Sequence, residues 1–281
     1  MPLIVFSKGN PSGETISRKL VERHGFLPVE PISSGDGKYE WRCWERDGLK
    51  LIELTTLHIF SDYLKDYPVF NDADLLIFAS THKSATDSPA VTAHTCGNFG
   101  GGNKLGGNPF ELAHASAFAL KIASQFLASH PLENFPFFME ATRHGPTALK
   151  APVLFVEIGS TEREYSDERA GEIVADCIIE VCSGWKKGQK ANSGYKVAMG
   201  FGGTHYCSKF GKMELEEKYE FAYVCSKHYL EEITPEILRQ AMGKSIEKIE
   251  VALIEKKSMN AQVRGRLIAA LSEANLPYEL V

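Results

Sequence analysis

The run Asp74-Leu75-Leu76-Ile77-Phe78-Ala79-Ser80 constrains the fold more than any other stretch of the chain. Consecutive apolar residues leave no polar face, so a strand built from them must be covered on both sides, as in the middle of a parallel sheet. Val153–Ile158 has the same character, and Leu3–Ser7, Phe135–Ala141, Tyr195–Met199, Tyr219–Val224 and Ile249–Ile254 read as further strands. Helices are predicted between them. Glu14–His24 carries Ile16, Leu20 and Val21 at helical spacing, and Phe110–Ala128 is alanine-rich and mostly apolar. Ser166 caps a helix running to about Cys182, Thr234 precedes one that starts at Pro235, and Asn260 caps one over Ala261–Ala274. Strands alternating with helices predict an α/β fold with a mostly parallel sheet, covered on both faces.

The 281 residues show no internal repeat and are read as a single α/β domain, 1–281. Tyr39–Glu45 and Leu49–Thr55, paired around Asp47-Gly48, are expected as a small added hairpin lobe. A formal net charge of −5 excludes a surface coated in basic residues but leaves room for a local basic patch. No window reaches the ~18 apolar residues of a membrane span. Met1–Lys8 lacks the charged start of a signal peptide and reads as the first strand. The six cysteines, Cys43, Cys96, Cys177, Cys182, Cys207 and Cys225, contain no Cys-x-x-Cys pair, so they are expected as reduced thiols in a cytoplasmic protein.

Chemistry concentrates in loops after apolar strands. His82 follows Ser80-Thr81, His144 follows Glu140-Ala141-Thr142-Arg143, and His205 follows Gly200-Phe201-Gly202-Gly203-Thr204. Ligands of open α/β sheets bind outside the carboxyl ends of the strands, so these histidines are expected to converge on one crevice. Histidine there can act as acid, base or metal ligand, and the glycines let backbone N–H groups approach a ligand. Thr81–Pro109 is Gly-, Ser-, Thr- and Asn-rich without helical period and is expected as one long functional loop carrying His94 and Cys96. His94-Thr95-Cys96 and His205-Tyr206-Cys207 could each offer nitrogen and sulfur to zinc, with the histidines favoured over the thiols. Glu140 and Glu157, at or inside strands, are read as a base, a ring-orienting partner, or an ion-pair partner of Arg143 or Arg163. The Lys8–Gly13 turn resembles an anion-binding entry to a helix but lacks the P-loop ending.

Five collinear motifs together resemble the D-aminoacyl-tRNA deacylases of archaea and plants. They are Ser80-Thr81-His82 with Pro89, Ala93–Gly100, Met139–Pro146, Val156–Glu164 and Gly202–Tyr206. Two positions depart from that pattern: Arg143 stands where the family has a second histidine, and Cys96 where threonine is common. The resemblance implies a three-layer α/β/α fold of the phosphorylase/hydrolase type and hydrolysis of the ester of D-aminoacyl-tRNA such as D-tyrosyl-tRNA. It also implies zinc, with His82, His94, His144 and His205 as candidate ligands. Carried over to this chain, it gives His205, His144 and Glu140 catalytic roles and makes the N–H groups of Gly202, Gly203 and Thr204 candidate oxyanion donors. Thr81, His82, His94, Asn98, Gly100, Arg143 and Tyr206 become substrate contacts. For the tRNA partner, the candidate cations are Lys186, Lys187 and Lys190 in a basic linker, with Lys209 and Lys212. The chain is expected to act as a monomer. A zinc-dependent peptidase or amidohydrolase and a non-catalytic tRNA-binding module are the alternative readings.

Overall fold

A computed structural model describes residues 1–84, 87–188 and 194–281. The chain begins with strand β1 (Leu3–Ser7), helix α1 (Pro11–His24) and three strands, β2 (Leu27–Ser33), β3 (Glu40–Arg46) and β4 (Leu49–Leu54). A short helix α2 (Pro68–Asn71) leads to β5 (Leu76–Thr81), β6 (Ala90–Thr95), α3 (Ala117–Ser129), β7 (Phe137–Met139) and β8 (Val153–Gly159). Then come α4 (Glu162–Tyr165), α5 (Glu168–Gly188), β9 (Lys196–Phe201), α6 (Ser208–Leu215) and β10 (Tyr219–Cys225). The chain ends with α7 (Pro235–Lys244), β11 (Val251–Ile254), α8 (Ala261–Glu273) and β12 (Tyr278–Leu280).

The strands form two sheets where the sequence pointed to one. The larger has the order β2-β3-β4-β1-β5-β8-β6-β7 and the smaller the order β10-β9-β11-β12. Every pairing in the smaller sheet is parallel, while the larger mixes parallel centre strands with antiparallel β2, β3 and β6. The expected mixed α/β class, mostly parallel, is therefore what the chain adopts. The β3–β4 hairpin is not a separate lobe, because β4 lies parallel to β1 and extends the large sheet.

Period-2 alternation sorts the large sheet's side chains into two cores. Ile77, Ala79, Leu154 and Val156 pack with α1, α3 and α5, whereas Leu76, Phe78, Val153 and Phe155 face the other way, under short helical turns and connecting segments. Helix α3 also covers the small sheet, and its buried Lys121 donates to the carbonyls of Glu216 and Tyr219 at 2.7 and 2.9 Å. Among the described residues, no helix is long and apolar enough to cross a membrane.

Three expectations are corrected. The segment expected as one loop contains β6, fully buried and antiparallel to β8, so His94 stands in a strand. The helix expected from Phe110 starts only at Ala117, where Ser116 accepts from the Ala119 N–H as N-cap. The stretch Trp185–Gly188 continues α5 and is no linker, while Lys190 lies outside the described residues. Edge strand β2, with Pro28 and Pro31, and helix α6 were not foreseen.

Candidate active site

The site lies on the large sheet's Phe155 face, the one covered by short helical turns, at the seam with the small sheet. Glu140 follows β7, and its N–H donates to Ala93 O of β6 at 3.0 Å. The next two N–H groups leave for the other sheet's side: Ala141 donates to His205 O (2.9 Å) and Thr142 to Val224 O (2.9 Å). The Thr142 hydroxyl accepts from Val224 N–H and meets the Thr95 hydroxyl at 2.9 Å. Segment 140–144 thereby brings Glu140, Arg143 and His144 against His82, His94 and Glu157 from the large sheet and His205 from the loop after β9.

Two groups result. In the first, Glu140 Oε1 lies 2.8 Å from His82 Nδ1, and Glu140 Oε2 lies 2.8 Å from His205 Nε2 and 3.2 Å from Arg143 Nη1. His82 Nε2 meets the Tyr206 hydroxyl at 3.0 Å, and the Tyr206 ring stacks on Phe138. Arg143 Nη1 is also 2.8 Å from His205 Nε2. One ring nitrogen cannot donate and accept at once. Protonated, it donates to Glu140; unprotonated, it accepts from Arg143. Glu140 is fully buried, while the His205 side chain keeps 38% of its surface in solvent.

The second group is His94, His144 and Glu157, all buried. His94 Nδ1 lies 3.0 Å from Thr95 O and His144 Nδ1 2.8 Å from Gly145 O. Carbonyls only accept, so both rings carry a proton on Nδ1, which leaves Nε2 as the ring atom available to a ligand. Glu157 sits 3.7 Å from His94 Nε2, 3.6 Å from His82 Nδ1 and 3.6 Å from Arg143 Nη2. Behind it, His58 is buried against Phe78 and Phe155 and held at both ring nitrogens by Ser7 and Ser80, at 2.8 Å each.

The electrostatics separate the groups. Burial works to raise the Glu140 carboxyl, but the Arg143 charge and the bonds from His205 and His82 outweigh it and hold Glu140 well below the usual range. Glu157 is likewise held down against burial by His82, His94 and Arg143. Burial would lower His82, yet Glu140 and Glu157 push it up to about 10, so it is charged at neutral pH. Burial first, then the Arg143 charge, drives His144 well below the ordinary imidazole range, so it stays neutral.

Each group could hold a metal ion, since the ligand atoms within it lie within 4.8 Å of one another. The second fits a cation better. It offers two imidazole nitrogens, the His144 ring neutral, and a carboxylate. In the first, the Arg143 guanidinium already supplies the positive charge. No cysteine belongs to either group: all six are free and buried, with Cys96 and Cys207 turned to backbone carbonyls of Gly145 and Met139.

Several expected contacts fall elsewhere. Gly202 N–H donates to Cys225 O (2.9 Å) and Gly203 N–H to Ser258 Oγ (2.6 Å), so neither is free for an oxyanion. Gly202 is glycine because a Cβ would strike Glu255 and Ser258. The Thr81 hydroxyl points to the opposite face, to Asn10 Oδ1 at the start of α1. Asn98 Nδ2 binds Gly106 O and Asn108 O, holding the glycine loop together. Gly100 packs that loop on Glu232 and Tyr229. Thr204 is exposed and lines a neighbouring cleft. Tyr229, which lines a cavity of about 250 Å³ with Thr142, Arg143 and His144, gave no signal in the sequence.

A mixed α/β chain that gathers paired carboxylates, imidazoles and a guanidinium on one face of its large sheet, where β6 and β7 run against β8, has the layout of an enzyme site. The family model described as D-aminoacyl-tRNA deacylase matches residues 69–279. The chain belongs to the D-aminoacyl-tRNA deacylase family. Relatives of that name include a Pyrococcus furiosus protein, 33% identical over 99% of both chains, and one from Pyrococcus horikoshii, 31% identical over 99% of both. A Methanocaldococcus jannaschii relative is 35% identical over 74% of this chain and 83% of its own. A crystal structure described as a conserved protein of unknown function superposes with a TM-score of 0.85 at 28% identity, covering all of this chain and 95% of the other.

Proposed function

We propose that the chain hydrolyses the ester joining a D-amino acid, such as D-tyrosine, to the terminal ribose of tRNA, working in the cytoplasm as a monomer. Family membership supports the reaction. The observation that carries the mechanism is the part-exposed His205 ring, whose Nε2 lies 2.8 Å from both Glu140 Oε2 and Arg143 Nη1. An aminoacyl ester is already activated, so it needs a positioned water, a proton acceptor and compensation for the oxyanion.

His205 accepts the proton from the attacking water, and buried Glu140 stabilises the imidazolium that forms. The water oxygen bonds to the carbonyl carbon while the carbonyl π pair moves to oxygen. Arg143, lining the cavity beside Thr142 and His144, faces that oxyanion in place of the occupied glycine N–H groups. Collapse breaks the bond to the ribose oxygen, which leaves with the proton from His205. His82, positive and braced by Tyr206, fixes the carboxylate. Zinc would be held by His94, His144 and Glu157 and would supply Lewis-acid polarisation.

The test is incubation with D- and L-tyrosyl-tRNA, with and without a chelator. D-specific release of tyrosine supports the reading, and equal release of both or of neither overturns it. His205→Ala is expected to cost about 10²–10⁴-fold in kcat. Full turnover by that variant would remove the histidine from the mechanism.

A further inference from the structure

Outside the His/Glu groups, a second cleft of about 340 Å³ is lined by Gly203, Thr204, Lys209, Lys227 and Lys257. Three lysines from three separate segments converge there, one on α6, one on the turn after β10 and one on the turn after β11. The carboxylate in the lining, Glu255, is hydrogen-bonded to Ser258 Oγ. Like charges gathered around one cleft repel, and an anion between them relieves the repulsion.

One short helical turn, Lys227–Glu232, connects this cleft to the active-site cavity. Its first residue lines the cleft, and its third, Tyr229, lines the cavity beside Arg143 and His144. The turn is fixed at both ends: Lys227 N–H donates to Gly203 O (2.9 Å), and Glu232 accepts from Gly101 N–H (2.9 Å). Gly203 and Thr204 line the cleft and lead directly into His205, which contacts Arg143 of the cavity wall. Tyr229 and Phe110, on either side of the glycine loop, keep 37% and 47% of their surface exposed. Cations along a path with exposed rings are what single-stranded nucleic acid requires, phosphate to lysine and base to aromatic face.

The geometry points to a track for the unpaired 3′ end of tRNA along the Lys227–Glu232 turn, with a backbone phosphate in the Lys209/Lys227/Lys257 cleft and the terminal base against Tyr229. This rests on the deacylase reading for its substrate, and its test is independent of turnover. The probe is a fluorescein-labelled single-stranded RNA ending in CCA, its Kd followed by anisotropy from 50 to 200 mM salt. Lys227→Ala/Lys257→Ala, with unchanged thermal unfolding as the fold control, is expected to weaken binding at least tenfold at the lowest salt. It should also flatten the slope of log K against log salt by about 0.7, the share of one single-strand phosphate contact. Tyr229→Ala is expected to weaken binding about tenfold with the slope retained. Lys38→Ala/Lys50→Ala, on the distant hairpin, is the charge control and should bind as the parent does. Unchanged affinity and slope in the Lys227/Lys257 variant, or an equal loss in the hairpin control, overturns the track. Lysine-dependent binding without ester turnover by the parent chain would break the deacylase reading and leave the track standing. Turnover with lysine-independent binding would do the reverse.

Discussion

The two His/Glu groups are built from the same residue types, two imidazoles and a carboxylate, yet differ in the two quantities that decide chemistry. The first contains a guanidinium and opens to water through His205; the second has its rings pinned by carbonyls and is buried, reaching the cavity at His144. On the proposed mechanism the ring beside the resident cation transfers the proton, and the buried nitrogens and carboxylate form the cation site. Access and charge balance, not ligand inventory, separate the roles.

Glu140→Gln should break the contrast most, lowering kcat about 10³-fold and costing about 3–5 kcal/mol of stability, because Arg143 and His82 lose their counter-charge. Rate measurement with urea denaturation reads both. The opposite pKa displacements of His82 and His144 make pH the next probe, in metal-free protein. His82 is raised, so its contribution, on the order of 4 kcal/mol, is full below pH 6.5 and lost as pH climbs through about 10. His144 is lowered, so its contribution is present above pH 6.5 and lost as pH falls. Stability curves of His82→Gln and His144→Gln should flatten at the alkaline and acid ends respectively, and the same flattening in both would erase the distinction.

Metal analysis sharpens it further. His94→Ala should weaken zinc binding about 10–100-fold by calorimetry, whereas His205→Ala should leave it intact. Arg143→His, removing the resident cation and adding a ligand, should raise the zinc stoichiometry from one to two. The smallest expected change is Tyr206→Phe, which removes one bond to His82 for about 1 kcal/mol, or some fivefold in kcat.

The apolar runs showed the strands because burial on both faces leaves no room for polar alternation. Strand β6 escaped because its alanines are poor strand formers and its threonines read as loop polarity beside the glycines, while its burial comes from β8, β7 and α3. The three strand-end histidines do converge, and Glu157 was visible as a carboxylate inside an apolar strand, where only pairing makes burial tolerable. Gly202 and Gly203 misled because the groups that occupy their N–H donors come from distant chain segments, Cys225 and Ser258. The split between the two groups depends on Arg143 reaching both carboxylates, which no spacing encodes.

Glu140 is hydrogen-bonded to β6 and His205 hangs from the end of β9, so the 2.8 Å between them spans two sheets that share one core beneath α3. That distance is held by a joint: two backbone bonds from Ala141 and Thr142 and the Thr95–Thr142 hydroxyl pair. Thr142→Val, which removes the hydroxyl pair, should therefore lower kcat through the spacing of Glu140 and His205, although the substitution touches neither side chain.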